Sequence, residues 1–371
     1  MARGRRQGVV IAGGGAAGCL AALAMARLRP EVPVLIVEER ERFGGHCFHH
    51  LFTDEVDGKA QSLLAAVPGL SWPGFYLAFP GLARNLKGSI GGFIPDALHR
   101  LMMETLRPEQ YRLGTKVVAV RDDALVLDGG EELKAEGALD ARGAANLSML
   151  ETLYETRVER QIITAGPHRL DRPLLVDATI EQNLGFGFIQ AFPLGPDRLR
   201  IAKLLVSERA RPDEAAEARL DHYLTMRGWS EAEVVDRCAM ARPLPIGGDF
   251  AAFWRIGGAR VAKLGLRGGF FNPATGRTLA DAARCAVLLA AQKDFAGAAL
   301  HDLFEEEARQ AWKRREPQRA INAAIAATPP EARRMTAERL YRLDPGTIVR
   351  FRSDRLGLLD RRRIQKALRG E

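Results

Sequence analysis

Gly13, Gly15 and Gly18 stand in the stretch GGGAAG, directly after the apolar run GVVIA and directly before CLAALAMARL. That spacing suits a turn that cradles phosphates. Gly13 permits the tight turn, Gly15 lets backbone approach a pyrophosphate, and Gly18 lets a helix pack closely on a strand. The first N–H groups of the helix then face the anion. Glu38 lies 20 residues beyond Gly18, at the end of the run VPVLIVE, where a carboxylate binds ribose hydroxyls. Glu39 is its neighbour and competitor; Glu38 is preferred because it directly follows the apolar run.

Three later segments favour FAD over NAD as the dinucleotide. ERFGGHCF, with Gly44 and Gly45, follows the acidic strand, and ALDARG (138–143) pairs an apolar strand with a glycine. GLRGGFFNPATGRTLADAA (265–283) sets Gly268, Gly269, Pro273, Thr275 and Gly276 at a helix start, suited to the flavin end. A second fingerprint for a separate nicotinamide domain is missing, because GSIGG (88–92) has no strand before it.

These residues need a strand over 8–12, a helix over 16–29 and a second buried strand over 32–39, the βαβ unit of a doubly wound fold. Residues 111–143 read as a small β meander with turns at RDD and DGGEE. FGFIQAFPL and RLRIAKLLVS read as a hairpin around Gly195-Pro196-Asp197, which sets Gln190 opposite Ala202. Residues 213–227 and most of the chain beyond 292 read as helical. The class is α/β: an FAD-binding, Rossmann-like fold with an interleaved β-sheet lobe and a helical C-terminal part. The expected division is 1–150 with 255–295 for the FAD lobe, 70–95 and 151–254 for the β lobe, and 296–371 for a basic helical region.

The net charge of +8 is concentrated: the segment from Arg309 onward carries +10, against −2 elsewhere. Nothing in it resembles a nucleic-acid module. A solvated helical face and a patch for an anionic membrane surface both fit, and the leucines and Phe351 in that segment could insert shallowly. No uncharged apolar stretch is long enough to span a bilayer, and the start MARGRRQGVVIAGGG lacks the apolar core of a signal peptide. The cysteines Cys19, Cys47, Cys238 and Cys285 show no CxxC spacing. Neither a disulfide framework nor a metal site is expected, and the cytoplasm is the expected compartment.

Several blocks in order resemble the bacterial lycopene cyclase family. They are WPGFYLAFPGLARNL (72–86), PHRLDRPLLVDATIEQ (167–182), GLRGGFFNPATGRTLADA and LYRLDPGTIVRFRSDRLGLLDR. The resemblance implies FAD, in its reduced form during activity, with NAD(P)H as a reductant, and a linear carotenoid such as lycopene as substrate. It also implies acid-catalysed, non-redox closure of ψ ends into β rings, at the inner face of the membrane.

The same resemblance places the family's acid in an I-E-D-T block, which here reads Ile201-Ala202-Lys203-Leu204. Ala202 marks the missing carboxyl. Asp177, in the matched D-A-T block, is either the substitute acid or a structural, hydrogen-bonding Asp in the sheet; Glu181 is a second candidate acid or a solvated carboxylate. Phe270 and Phe271 belong either to the core or, with Gln190, to the lining of the substrate site. His46, His49 and His50 form a loop cluster without metal-ligand spacing, and His168 is expected to be structural. The alternatives to a cyclase are a flavin-dependent oxidoreductase or hydroxylase on an apolar substrate, a carotenoid or flavin carrier, and a non-redox isomerase.

Overall fold

The computed structural model describes residues 8–212, 214–258 and 260–370. The leader 1–7 and Asp213, on which the readings of the start and of the 213–227 helix partly rest, lie outside the described residues. Val9–Ala12 and Val34–Val37 are apolar throughout and form neighbouring parallel strands, with Val9 opposite Val34 and Ala12 opposite Val37. Gly137–Asp140 and Ala262–Lys263 extend the sheet on one side and Tyr111–Arg112 on the other, all parallel. Strands buried on both faces need continuous apolar sequence, which is why these runs do not alternate.

The helix Ala16–Leu28 packs on this sheet and against the helix Leu279–Ala290 through alanines and leucines. Gly18 shows why: a Cβ there would lie 1.9 Å from the Gly13 carbonyl oxygen. The expected meander is an antiparallel sheet of Val117–Val120, Ala124–Leu127 and Glu132–Lys134.

A second, eight-stranded sheet runs in the order Glu233–Gly248, Leu150–Ile163, Arg198–Ser207, Phe186–Pro193, Leu174–Asp177, Leu70–Phe79, Leu82–Phe93 and His49–Phe52. In the hairpin Gln190 stands opposite Ala202, as read, and on the other side Ala202 faces Glu159. One face of this sheet carries Phe186, Phe188, Phe192, Ala202, Leu204 and Val206. The other, with Ile189, Leu199 and Ile201, is covered by the helix Ala216–Met226.

The C-terminal helices divide their packing at Arg315. Gly297–Arg314 joins the core around the parallel sheet through Leu300, Phe304 and Ala308. Glu316–Ala326, Arg333–Tyr341, Pro345–Arg352 and Leu358–Arg369 cover the aromatic face of the large sheet. Arg315 is buried between them, 2.8 Å from Asp281 and 2.7 Å from Asp354. Part of the basic segment is internal: Arg315, Arg319, Arg333 and Arg352 are buried, and Arg333 pairs with Glu208. Phe351 is buried in the core and is not available to insert into a membrane; Leu358 and Leu359 are exposed instead.

The cysteine expectation is corrected as well. Cys47 and Cys238, 191 residues apart, form a disulfide that ties the segment after the acidic strand to the edge strand of the large sheet. Scattered spacing in sequence conceals a pair that only the fold brings together.

Candidate functional site

A cleft of about 520 Å³ opens beyond the C-terminal ends of the parallel strands. Its lining follows from topology. Gly13 and Gly15 come after the first strand, Glu38, Glu39 and Arg40 after the second, and Ala141, Arg142 and Gly143 after Gly137–Asp140. That volume suits a large cofactor, and the crevice at strand ends is where doubly wound sheets bind ligands. Gly13 has φ +102°, open to glycine at little cost. A Cβ on Gly15 would meet no protein atom within 4 Å, so its open side faces the cleft.

Glu38 turns toward the glycine turn: its carboxylate accepts from Gly14 N at 2.5 Å and from Arg40 N at 3.1 Å. Arg142, held by Asp140 at 2.7 Å and donating to the Val117 carbonyl, fixes the opposite wall. Gly45, Gly276, Thr278 and Arg267 also line the cleft, together with His46, Cys47, His49, Met240 and Arg242.

The other glycines of the expected cofactor set act behind the wall. Gly18 packs on Gly13, and Gly44 has φ +98° and donates to the Gly14 carbonyl. Gly268 and Gly269 close a turn against the Lys263 carbonyl and Phe250. The Pro273 carbonyl accepts from Asn322, and Thr275 lines a second cavity.

This inner cavity, of about 60 Å³, lies between the aromatic face of the large sheet and the C-terminal helices, and Arg242 lines both spaces. Its walls are half apolar, with Phe186, Phe188, Leu340 and Phe351, and half cationic, with Arg157, Arg242, Arg277 and Arg352. Gln190 lines it, accepting from Arg157 at 2.7 Å. Burial, then the Arg157 guanidinium, lowers the Arg242 side chain to about 10. Burial, followed by Arg277, Arg157, Arg352 and Arg242, holds His50 well below the usual imidazole range.

Three readings take their structural side here, for physical reasons. Asp177 is on the strand next to the hairpin but points to the covered face; Tyr223 OH donates to it at 2.8 Å and Thr179 OH at 2.6 Å. It holds a helix to the sheet and lines neither space. Phe270 packs edge-on against Trp254 and Phe304 in the core around the parallel sheet. Phe271 is buried with its carbonyl accepting from Arg315, and neither phenylalanine lines the cavity. The loop histidines diverge: His46 meets Arg40, His49 meets the Gly44 carbonyl at 2.7 Å, and His50 lies in the cavity wall. Cys47, Cys238 and Glu159 do converge within 4.8 Å, but both sulfurs are taken by the disulfide.

The arginines and Glu155 are what sequence reading missed. They come from strands and helices far apart in the chain, and alternation in TLYETRVER was the one available signal. It places Glu155, Arg157 and Glu159 on a single face of the strand.

A family model described as lycopene cyclase protein matches residues 8–368. The chain belongs to the lycopene cyclase family. It is similar to the lycopene beta-cyclase of Pantoea ananas, with 28% identity over 361 residues, covering 96% of this chain and 93% of that one. Similarity to the lycopene beta-cyclase of Paracoccus sp. (strain N81106 / MBIC 01143) is 30% over 362 residues, covering 96% and 92%. Among solved structures, a geranylgeranyl bacteriochlorophyll reductase-like protein from Thermoplasma acidophilum superposes with TM-score 0.68 at 14% identity, covering 98% of this chain and 96% of that one. The probable FAD-dependent monooxygenase pqsL from Pseudomonas aeruginosa gives 0.59 at 20% identity, covering 88% and 97%. At such identities the structures carry the fold, a flavoprotein-type mixed α/β architecture. Within this family member the position resembling the cyclase acid is a buried alanine, Ala202, between Glu159 and Gln190 in the ladder.

Proposed function

We propose that this protein binds FAD in the cleft and acts in carotenoid biosynthesis on the end group of a linear, carotenoid-like polyene in the inner cavity, as a cyclase-type enzyme. The observation that carries this reading is the meeting of the two spaces at Arg242. Gly13 and Gly15 with the start of the helix Ala16–Leu28 receive the pyrophosphate, and Glu38 receives ribose hydroxyls in place of the Gly14 and Arg40 amides. FAD, when bound and reduced, supplies an electron-rich ring that stabilises positive charge on a substrate.

Ring closure without net redox needs a proton donor in apolar surroundings. Ala202 cannot act and Asp177 faces away, so Glu155 takes the role. It lines the cavity, and its Oε1 is buried without a hydrogen bond, 3.7 Å from Arg242. A second reading, a flavin-dependent oxidoreductase on the same substrate, is favoured by one observation. The arginines around the cavity oppose a carbocation, and no carboxyl occupies position 202.

Anaerobic incubation of FAD-loaded protein with dithionite and lycopene, with products separated by chromatography and weighed by mass spectrometry, tests both. Cyclisation keeps the substrate's mass, and Glu155→Gln should abolish it; a product of changed mass supports oxidoreduction. In the Glu155→Gln background, Ala202→Glu should restore cyclisation by roughly 10²–10⁴-fold, the usual contribution of a general acid. A variant that binds flavin with no gain places the loss of lycopene chemistry beyond one residue.

We further propose peripheral attachment to the inner membrane. No helix among the described residues is long and apolar enough to cross a bilayer. Leu358 and Leu359 project at the start of the last helix, beside the exposed Arg355, Arg362 and Arg363.

A further inference from the structure

The charges around the inner cavity do not cancel. Arg277 pairs with Glu55 at 2.9 Å, Arg157 with Glu159 at 2.9 Å, and Arg242 with Glu155 at 3.7 Å. Arg352, the fourth guanidinium, has no carboxylate within 4 Å among the described residues; its Nη1 donates to Tyr341 OH at 2.6 Å. His50 adds no charge to this balance, since burial and the surrounding guanidiniums keep its ring neutral. Burying an unpaired cation costs several kcal/mol unless something compensates it.

Hydrogen bonding shows the same deficit. Arg352 Nε, Arg277 Nη1, Arg157 Nε and His50 Nε2 are all buried and lack a partner. Buried donors seldom stay unmatched, because each one has lost its water without gaining a partner. Opposite them the wall is Phe186, Phe188, Leu340 and Phe351. One surplus positive charge, or two while Glu155 carries the proton it donates, several idle N–H donors and an apolar wall together describe a ligand with a negative oxygen group on a hydrocarbon body. The volume of about 60 Å³ leaves room for about five water-sized groups, enough for such a head.

We infer that the inner cavity binds a carboxylate carried on an apolar, polyene-like chain, anchored by Arg352 with Arg277. The substrate is then a polyene acid, and its anion offsets the guanidiniums that would oppose positive charge developing nearby. This rests on the reading of the cavity as the place where the substrate's end lies.

The test is calorimetric titration of FAD-loaded protein with all-trans-retinoic acid, a polyene carboxylate, and with all-trans-retinol, its neutral counterpart. The acid should bind at least about tenfold more tightly, as expected for charge-assisted hydrogen bonds. Arg352→Gln should cut that preference to within about threefold, while Arg352→Lys, which keeps the charge, should retain most of it. FAD affinity should be unchanged in both variants. Equal binding of acid and alcohol would overturn the inference while leaving the cavity as a substrate site. Binding of neither would overturn both readings. An acid preference that survives in both Arg352→Gln and Arg277→Gln would put the anion elsewhere. Lost FAD affinity with the preference intact would assign the charge to the cofactor; either result overturns the inference.

Discussion

The cleft and the inner cavity share Arg242 yet are built in different ways. The floor of the cleft is backbone, made of strand ends, a glycine turn and a helix start, and polar side chains such as Glu38, Arg40, Arg142 and Arg267 stand around it. The cavity is made of side chains from at least five separate elements, and four of them are arginines. A backbone site tolerates change in the sequence around it, because only conformation and clearance matter. A side-chain site can be rebuilt for another ligand by a few substitutions while the sheet behind it stays. The lycopene cyclase family fold is kept here, with Ala202 at the expected acid and guanidiniums nearby.

The largest effect expected separates the two kinds of glycine in the cleft. Gly15→Leu should leave the fold intact, since its Cβ meets no protein atom, yet abolish FAD uptake because the side chain fills the pyrophosphate position. Gly18→Ala should act the other way and lower the unfolding midpoint, its Cβ being forced against the Gly13 carbonyl. Circular dichroism and flavin absorbance after gel filtration read the two effects; flavin bound normally by Gly15→Leu would refute the backbone account of the cleft.

Next in size is the junction behind the cavity. Arg315→Gln leaves Asp281 buried with Arg284 alone and should cost about 3–5 kcal/mol in urea unfolding, as for other broken buried pairs. A loss under about 1 kcal/mol would mean that the two helical packings do not depend on this ion pair.

Acid should destabilise the fold through histidines of both spaces, His49 in the cleft and His50 in the cavity wall. His50 stays neutral in the folded chain, whereas the unfolded chain protonates it below its ordinary value of 6.5. Stability then falls as pH drops below about 6.5, by up to about 1.4 kcal/mol per pH unit. Burial pushes the Asp281 carboxyl up, but Arg315 and Arg284 outweigh it and hold the group well below its usual 3.8. Its contribution is present above about pH 4 and is lost as pH falls further. Urea midpoints at several pH values for wild type and His50→Gln check the first part; parallel curves between pH 7 and 5 would remove His50 from the account.

The smallest effect belongs to the outer face. Leu358→Ser with Leu359→Ser should reduce sedimentation with phosphatidylglycerol vesicles several-fold and leave FAD binding alone, and added salt should weaken what remains. Equal sedimentation with phosphatidylcholine and phosphatidylglycerol would leave the basic residues without a part in attachment.

The sequence by itself determined the strand–helix–strand start of the parallel sheet, the glycine turn, the place of Glu38 at the strand end and the register that sets Gln190 against Ala202. Each depends on local periodicity or on a spacing of a few residues, so a single stretch of text holds the whole signal. Tertiary structure alone decided which way Asp177 points, that Phe270 and Phe271 are core, and that Cys47 reaches Cys238. It also decided that the basic segment spends Arg315, Arg333 and Arg352 inside the molecule. The reason is physical: a side chain's partner is fixed by which face of which strand or helix meets another. Arg157, Arg242, Arg277 and Arg352 are far apart in the chain and share one cavity only because the large sheet and the C-terminal helices close over it.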